Sequence, residues 1–185
     1  MGKNSNLRDR TACVILDAAG EVLSEFGNEA NMNQVADTAG VGRATLYRYF
    51  PSREALLKAM SQRVVENVGK RLEEANLEEV SFEEAIHRIT RAILGLSFPS
   101  GALIEEGIGF EPVEAKRLIM DPICKVFEKG AEQGAIRSEF SLELLSQLFI
   151  KFLRGGSLLV SKRISNMEDT AFAISSLFLD GVRNK

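Results

Sequence analysis

Proline, cysteine and histidine are scarce in this chain: four, two and one in 185 residues. With so few prolines, the long amphipathic runs point toward helix. Cys13 and Cys124 stand alone, without the spacing of a metal site or a disulfide framework; a reducing compartment and packing in the core are expected for both. Met1–Arg10 is polar and has no apolar segment of the kind a secretory signal needs. No apolar run approaches the ~18 residues that cross a bilayer, so a cytoplasmic protein is expected. Strand-like alternation, internal repeats and low-complexity stretches are missing too. So are a His-Glu-x-x-His pair, a Gly-x-Ser-x-Gly elbow and a phosphate-cradling glycine loop. The acidic pairs Glu73-Glu74, Glu78-Glu79, Glu83-Glu84 and Glu105-Glu106 are neighbours in sequence and do not face one another on a helix; they read as solvated surface. No enzyme, no metal site and no cofactor is expected.

What remains is an ordinary globular composition, 45% apolar and 26% charged, with a net charge of −3. A nucleic-acid binder with that balance must confine its positive charge to one face. Residues 1–60 hold seven basic and seven acidic side chains, so the acidic excess lies in the rest of the chain. Between Asp37 and Glu54 there is no acid, and Arg43, Arg48 and Arg53 make that stretch locally cationic.

Periodicity predicts an all-α protein. A first helix covers about 8–26, with Ile15, Ala18, Ala19, Val22, Leu23 and Phe26 on one stripe and Gly27 closing it. Two short helices follow, Asn33–Ala39 and Arg43–Phe50, joined by Gly40-Val41-Gly42; Val35, Ala36, Ala39, Val41, Leu46 and Phe50 face inward. Pro51 stops the second and Ser52 caps a long helix, Arg53 to about Ala75. Ser81 with Glu84 reads as a capping box for Phe82–Ser97. Residues 98–112, with two prolines and three glycines, are the least regular stretch. Helices over Val113–Gln133, Ser141–Val160 and Met167–Val182 complete the chain.

Two helices joined by a short glycine-containing turn form a helix-turn-helix, whose second helix enters a DNA major groove. The residues suit that task. Arg43 and Arg48 neutralise phosphates or fork onto guanine. Thr45 is small and offers a hydroxyl and a methyl. Tyr47 and Tyr49 present hydroxyls to phosphate while their rings pack on the protein. Asn33 is expected to cap the first short helix and touch phosphate, and Arg53 stands at a helix N-terminus that favours an anion.

The segments ILDAAGEVLSEFG (Ile15–Gly27), VADTAGVGRATLYRYF (Val35–Phe50) and PSREALLKAM (Pro51–Met60) resemble the N-terminal domain of the TetR (tetracycline repressor) family of transcriptional regulators. The departures are Gly20, where a larger residue is usual, Asn33 in place of Ser or Thr, and Arg53 in place of Lys. Gly20 weakens the first helix by about 0.5–1 kcal/mol relative to alanine. The resemblance implies an all-helical homodimer that represses transcription from a near-palindromic operator and lets go when a small hydrophobic effector occupies its C-terminal domain. It assigns DNA contact to Asn33, Arg43, Thr45, Tyr47, Tyr49 and Arg53.

Beyond Ala75 the resemblance is one of architecture, with LFLDGVR (Leu177–Arg183) like the family's final helix. It implies a DNA-binding domain over 7–68 and a ligand-binding and dimerisation domain over 69–185. Phe149, Phe152, Leu159, Phe172, Phe178 and Leu179 are expected at the dimer interface, with Gly155-Gly156 allowing close helix approach. His87, Arg91, Phe98, Ile104, Phe110, Met120 and Phe127 are candidates for an effector pocket. The alternatives are a protein of the same fold that activates transcription, or one that acts through protein contacts without reading an operator.

Overall fold

The computed structural model describes residues 2–96 and 112–183, with side chains from Arg10 onward except Asn28 and Pro112. Helix follows helix: α1 (Gly2–Phe26), α2 (Met32–Thr38), α3 (Arg43–Tyr49), α4 (Arg53–Glu74), α5 (Phe82–Leu94), α6 (Pro112–Ala115), α7 (Asp121–Glu132), α8 (Leu142–Ser161) and α9 (Met167–Val182). Lys116–Met120, between α6 and α7, is π-helical, and 3-10 turns follow α1 (Gly27–Glu29) and α4 (Leu77–Glu79). The fold is all-α; an isolated antiparallel bridge joins Ile136 to Arg183.

The boundaries come from local chemistry. Gly27 stops α1 in the left-handed region at φ +52, which a glycine enters without a Cβ clash. Ser52 Oγ accepts from Ala55 N at 3.1 Å, and Ser141 Oγ from Leu144 N at 3.2 Å, each satisfying a donor that the first helical turn leaves open. Only half of the box expected at Ser81 forms. Its Oγ accepts from Glu84 N at 3.3 Å, whereas the Glu84 carboxylate turns to Arg88 Nε at 2.8 Å. That pairing holds the Glu84 carboxyl below the usual carboxylate range, the Arg88 hydrogen bond being the main cause.

One apolar core runs the length of the molecule, and α4 is its spine. At one end Ile15, Val22, Val35, Leu46, Leu56 and Met60 close a small bundle of α1–α4. At the other, Phe127 is fully buried at the centre of an aromatic cluster, its ring centroid 5.6 Å from Phe82, 5.9 Å from Phe149 and 5.8 Å from Phe178. Edge and tilted contacts of this kind add ~0.5–1.5 kcal/mol each to the area they bury.

Several expectations need correction. Cys13 is exposed on α1 and does not pack in the core, while Cys124 is half-buried with its Sγ 3.7 Å from Ser146 Oγ. Phe149, Phe178 and Leu179 are buried inside the protomer, so they present no area to a second copy. The glycine pair divides. Gly156 is buried, and a Cβ there would strike Ile174 of α9 and Leu94 of α5, so its close approach is internal; Gly155 faces open space. α8 has the length and mean hydropathy (1.2) of a membrane-crossing helix, closer to that limit than its sequence suggested. Leu145, Phe149 and Leu153 spend one of its faces on the bundle core.

Candidate nucleic-acid interface

The geometry of the α2–α3 unit starts at its caps. Asn31, not Asn33, caps α2: its Oδ1 accepts from Asn33 N at 3.0 Å and Gln34 N at 3.1 Å. Gln34 Oε1 in turn accepts from Asn31 N at 2.8 Å, completing a capping box. Asn33, one residue inside the helix, is left exposed with its side chain uninvolved in the cap. The turn is held by Gly40 at φ +64, with Gly40 N donating to Asp37 O at 3.2 Å and Val41 N to Ala36 O at 3.0 Å. Gly42 then starts α3, its carbonyl accepting from Thr45 N at 2.8 Å and Leu46 N at 3.0 Å.

α3 is anchored by Leu46, fully buried, and by Phe50 at its C-cap. Those two fix which way the remaining side chains point. Arg43, Ala44, Tyr47 and Arg48 form one exposed face, and Thr45 and Tyr49 flank it half-buried. The Arg48 guanidinium lies 5.7 Å from the Tyr49 ring centroid, a distance at which the ring quadrupole attracts it. Arg43 and Arg48 have no ion pair among the described residues, so their charge is available to a ligand. Arg53 is half-buried and donates from Nε to Ala30 O at 3.4 Å, which ties the start of α4 to the loop before α2. Arg63 fastens the same bundle from the other side, pairing with Asp17 of α1 and donating to Cys13 O at 3.3 Å. A helix presenting two free guanidiniums and a tyrosine on a rigidly seated, solvent-facing surface suits the anionic wall of a nucleic-acid groove.

Ala44 was missed in the sequence, although its place one turn before Tyr47 and Arg48 marks it as part of that face. With only a methyl group there, the α3 backbone meets no bulk when a groove closes on it.

Known proteins share these features. Residues 15–60 match the family model described as bacterial regulatory proteins, tetR family. The HTH-type transcriptional repressor LfrR of Mycolicibacterium smegmatis is 36% identical over 92 residues, 50% of this chain and 48% of its own length. The chain carries the N-terminal domain of the tetR family. By sequence it thus spans about half of LfrR. Against the uncharacterized HTH-type transcriptional regulator YhgD of Bacillus subtilis, identity is 27% over 154 residues, covering 76% of this chain and 81% of the relative. The crystal structure of LfrR from Mycobacterium smegmatis in complex with proflavine superposes with a TM-score of 0.75 at 24% identity over 97% of this chain and 99% of that one, a likeness of fold.

The effector candidates scatter. Phe98, Ile104 and Phe110 lie outside the described residues. Phe127 is a fully buried core residue at the centre of the aromatic cluster. Arg91 is exposed and sits 3.7 Å from Glu168 of α9, where it ties two helices at the surface. His87 on α5 and Met120 in the π-helical turn are half-buried. Among the described residues, one small cavity lies between α1, α4 and the end of α5, lined by Leu16, Met60, Arg63, Val64, Asn67 and Leu96. An open groove runs between α4 and the α6–α7 rod, past Gly69, Glu73, Arg117, Leu118 and Lys125.

Proposed function

We infer that this protein is a homodimeric repressor that reads a near-palindromic operator through α3 and is released by a small hydrophobic effector. The observation that carries the reading is the α3 face: Arg43, Ala44, Tyr47 and Arg48 exposed together while Leu46 and Phe50 hold the helix in place. Thr45 and Tyr49 extend it at the flank, and Asn33 and Arg53 serve the phosphates on either side. The DNA-binding unit is residues 7–68 and the regulatory unit 69–185, with α4 common to both. The protein acts by binding, without catalysis, cofactor or metal, in the cytoplasm where the DNA is.

A second copy is supported by an apolar surface that the protomer leaves uncovered. Leu144, Leu148, Phe152 and Leu159 repeat along the outer side of α8, with exposed Gly155 among them, and Phe172 and Leu177 stand out from α9. Side chains this large, on two adjacent helices, form the kind of patch a soluble monomer rarely leaves open. A two-fold arrangement of α8 and α9 would bury it and present two α3 helices to two half-sites. In this reading the interface is formed by Phe152, Leu159 and Phe172 together with Leu144, Leu148 and Leu177.

The test begins with selection of bound fragments from genomic DNA, followed by fluorescence anisotropy on the enriched sequence. Wild-type binding lost in Arg43→Ala and Tyr47→Ala, with helicity intact, supports the reading. Equal binding by all three proteins refutes it. Because LfrR has been crystallised with proflavine, proflavine is the first effector to try: release of the fragment on its addition would place planar aromatic compounds among the effectors. If the protein instead recruits a partner without touching DNA, no fragment is enriched at any salt concentration.

A further inference from the structure

Pro122 lies inside a continuous helical rod that begins at Pro112 and ends at Glu132. A proline there has no N–H to donate, and its ring collides with the carbonyl four residues back, that of Leu118. The rod answers by widening. Lys116–Met120 is π-helical, and Asp121 N–H donates to Lys116 O, five residues back. Such single π turns recur at functional sites.

Here the widened turn faces α4. Leu118 rests against Gly69 so closely that a Cβ on Gly69 would stand 2.9 Å from Leu118 Cβ and 3.4 Å from its Cγ. Gly69 is buried in the C-terminal third of α4, inside the helix, where glycine costs ~1 kcal/mol relative to alanine. Close approach is what the missing side chain allows.

The rest of α4 makes this contact consequential. Its C-terminal end is pinned: Arg88 Nη1 donates to Ala75 O at 2.8 Å, and Lys129 Nζ to Glu78 O at 2.5 Å and Val80 O at 3.3 Å. Arg71 of α4 returns the tie, donating to Ala92 O of α5 at 3.5 Å. The N-terminal end carries the reading head through Arg53 and Arg63. We propose that the π turn forced by Pro122 is the stop that sets the tilt of α4, with Leu118 and Gly69 as its positioning residues. The consequence for DNA rests on the function proposed above; the mechanical claim does not.

The lever has a definite gain. Five residues separate Glu74 from Gly69 and twenty-one separate it from Arg53, about 7.5 Å and 30 Å of helix. Motion at Gly69 is therefore amplified roughly fourfold at the head. An added methyl at Gly69 needs about 0.5–1 Å of relief to reach ordinary contact, which becomes about 2–4 Å at Arg53.

Electron–electron double resonance on the full chain tests this. Spin labels go on Thr38→Cys and Glu132→Cys, both exposed and outside the α3 face, in a Cys13→Ser, Cys124→Ala background. Labelled protein is diluted into unlabelled excess, so only distances within one protomer are read, with no DNA present. Gly69→Ala is expected to shift the mean distance by about 2–4 Å, and adding Leu118→Gly, which removes the clashing Cβ, to restore it. Leu118→Gly alone is expected to broaden the distribution, because the stop is gone. A shift under about 1 Å in Gly69→Ala, or one that persists in the double variant, overturns the proposal. If Gly69→Ala does not fold, Leu118→Gly decides: an unchanged, narrow distribution overturns it. Operator affinity of the same variants is a separate readout, so a protein that reads no DNA leaves the distance result standing.

Discussion

Replacing Arg43 by alanine isolates the electrostatic part of recognition, because this guanidinium is exposed and has no ion pair among the described residues to lose. Each phosphate neutralised by a cation adds about 0.9 to the slope of log affinity against log salt. A two-fold dimer loses two such contacts per substitution, so the slope should fall by about 1.8. Between 50 and 200 mM salt, that makes the variant's affinity decline about tenfold less than that of the wild type. If Arg43 forks onto guanine instead, the slope holds, affinity drops by ~1–3 kcal/mol per half-site, and discrimination relaxes at one base pair. Arg48→Ala, run in parallel, separates the two roles. Fluorescence anisotropy on the selected fragment over a salt series gives both quantities, and far-ultraviolet circular dichroism confirms that α3, seated by Leu46 and Phe50, is intact. Unchanged slope and unchanged affinity in both variants would refute the placement of the α3 face on DNA.

Three further outcomes follow from packing and charge. Phe127→Ala removes the hub of the aromatic cluster and should cost ~3–5 kcal/mol, lowering Tm by on the order of 10 °C in a thermal melt. Leu148→Glu with Phe152→Glu places charge on the uncovered face of α8 and should turn a dimer into a monomer in sedimentation velocity, with helix content retained by circular dichroism and Tm lowered as the stabilisation from association is lost. Glu84 has its carboxyl lowered by Arg88, so its contribution to stability is present above the ordinary glutamate range and is lost as pH falls through the lowered folded value. The Tm advantage of wild type over Glu84→Gln should therefore be present near neutrality and vanish in acid.

How far the sequence was legible depends on the range of the interaction concerned. Ser52 and Gly27 act within a turn of their own position, and their cap and stop were readable. The inward face of α3 was readable too, because Leu46 and Phe50 contrast with charged neighbours. α8 lacks that contrast: it is apolar around most of its circumference, so nothing local distinguished Phe149, which is fully buried, from Phe152, which touches Phe178 yet remains exposed. The choice between Asn31 and Asn33 as cap turned on a two-residue shift of the helix start that the two nearby asparagines serve equally well. The π turn was hidden for a related reason. One extra residue before Pro122 barely disturbs the apolar spacing of a helix, and its partner Gly69 is distant in sequence. The arginine and lysine ties onto helix-end carbonyls are long-range for the same reason.

Hydroxyl-radical footprinting on the enriched fragment is the most direct test of the central claim. Two protected patches on one face of the duplex, their centres about 34–36 Å apart and both lost in Tyr47→Ala, are the expected result. A single patch, or protection that survives Tyr47→Ala, would contradict it.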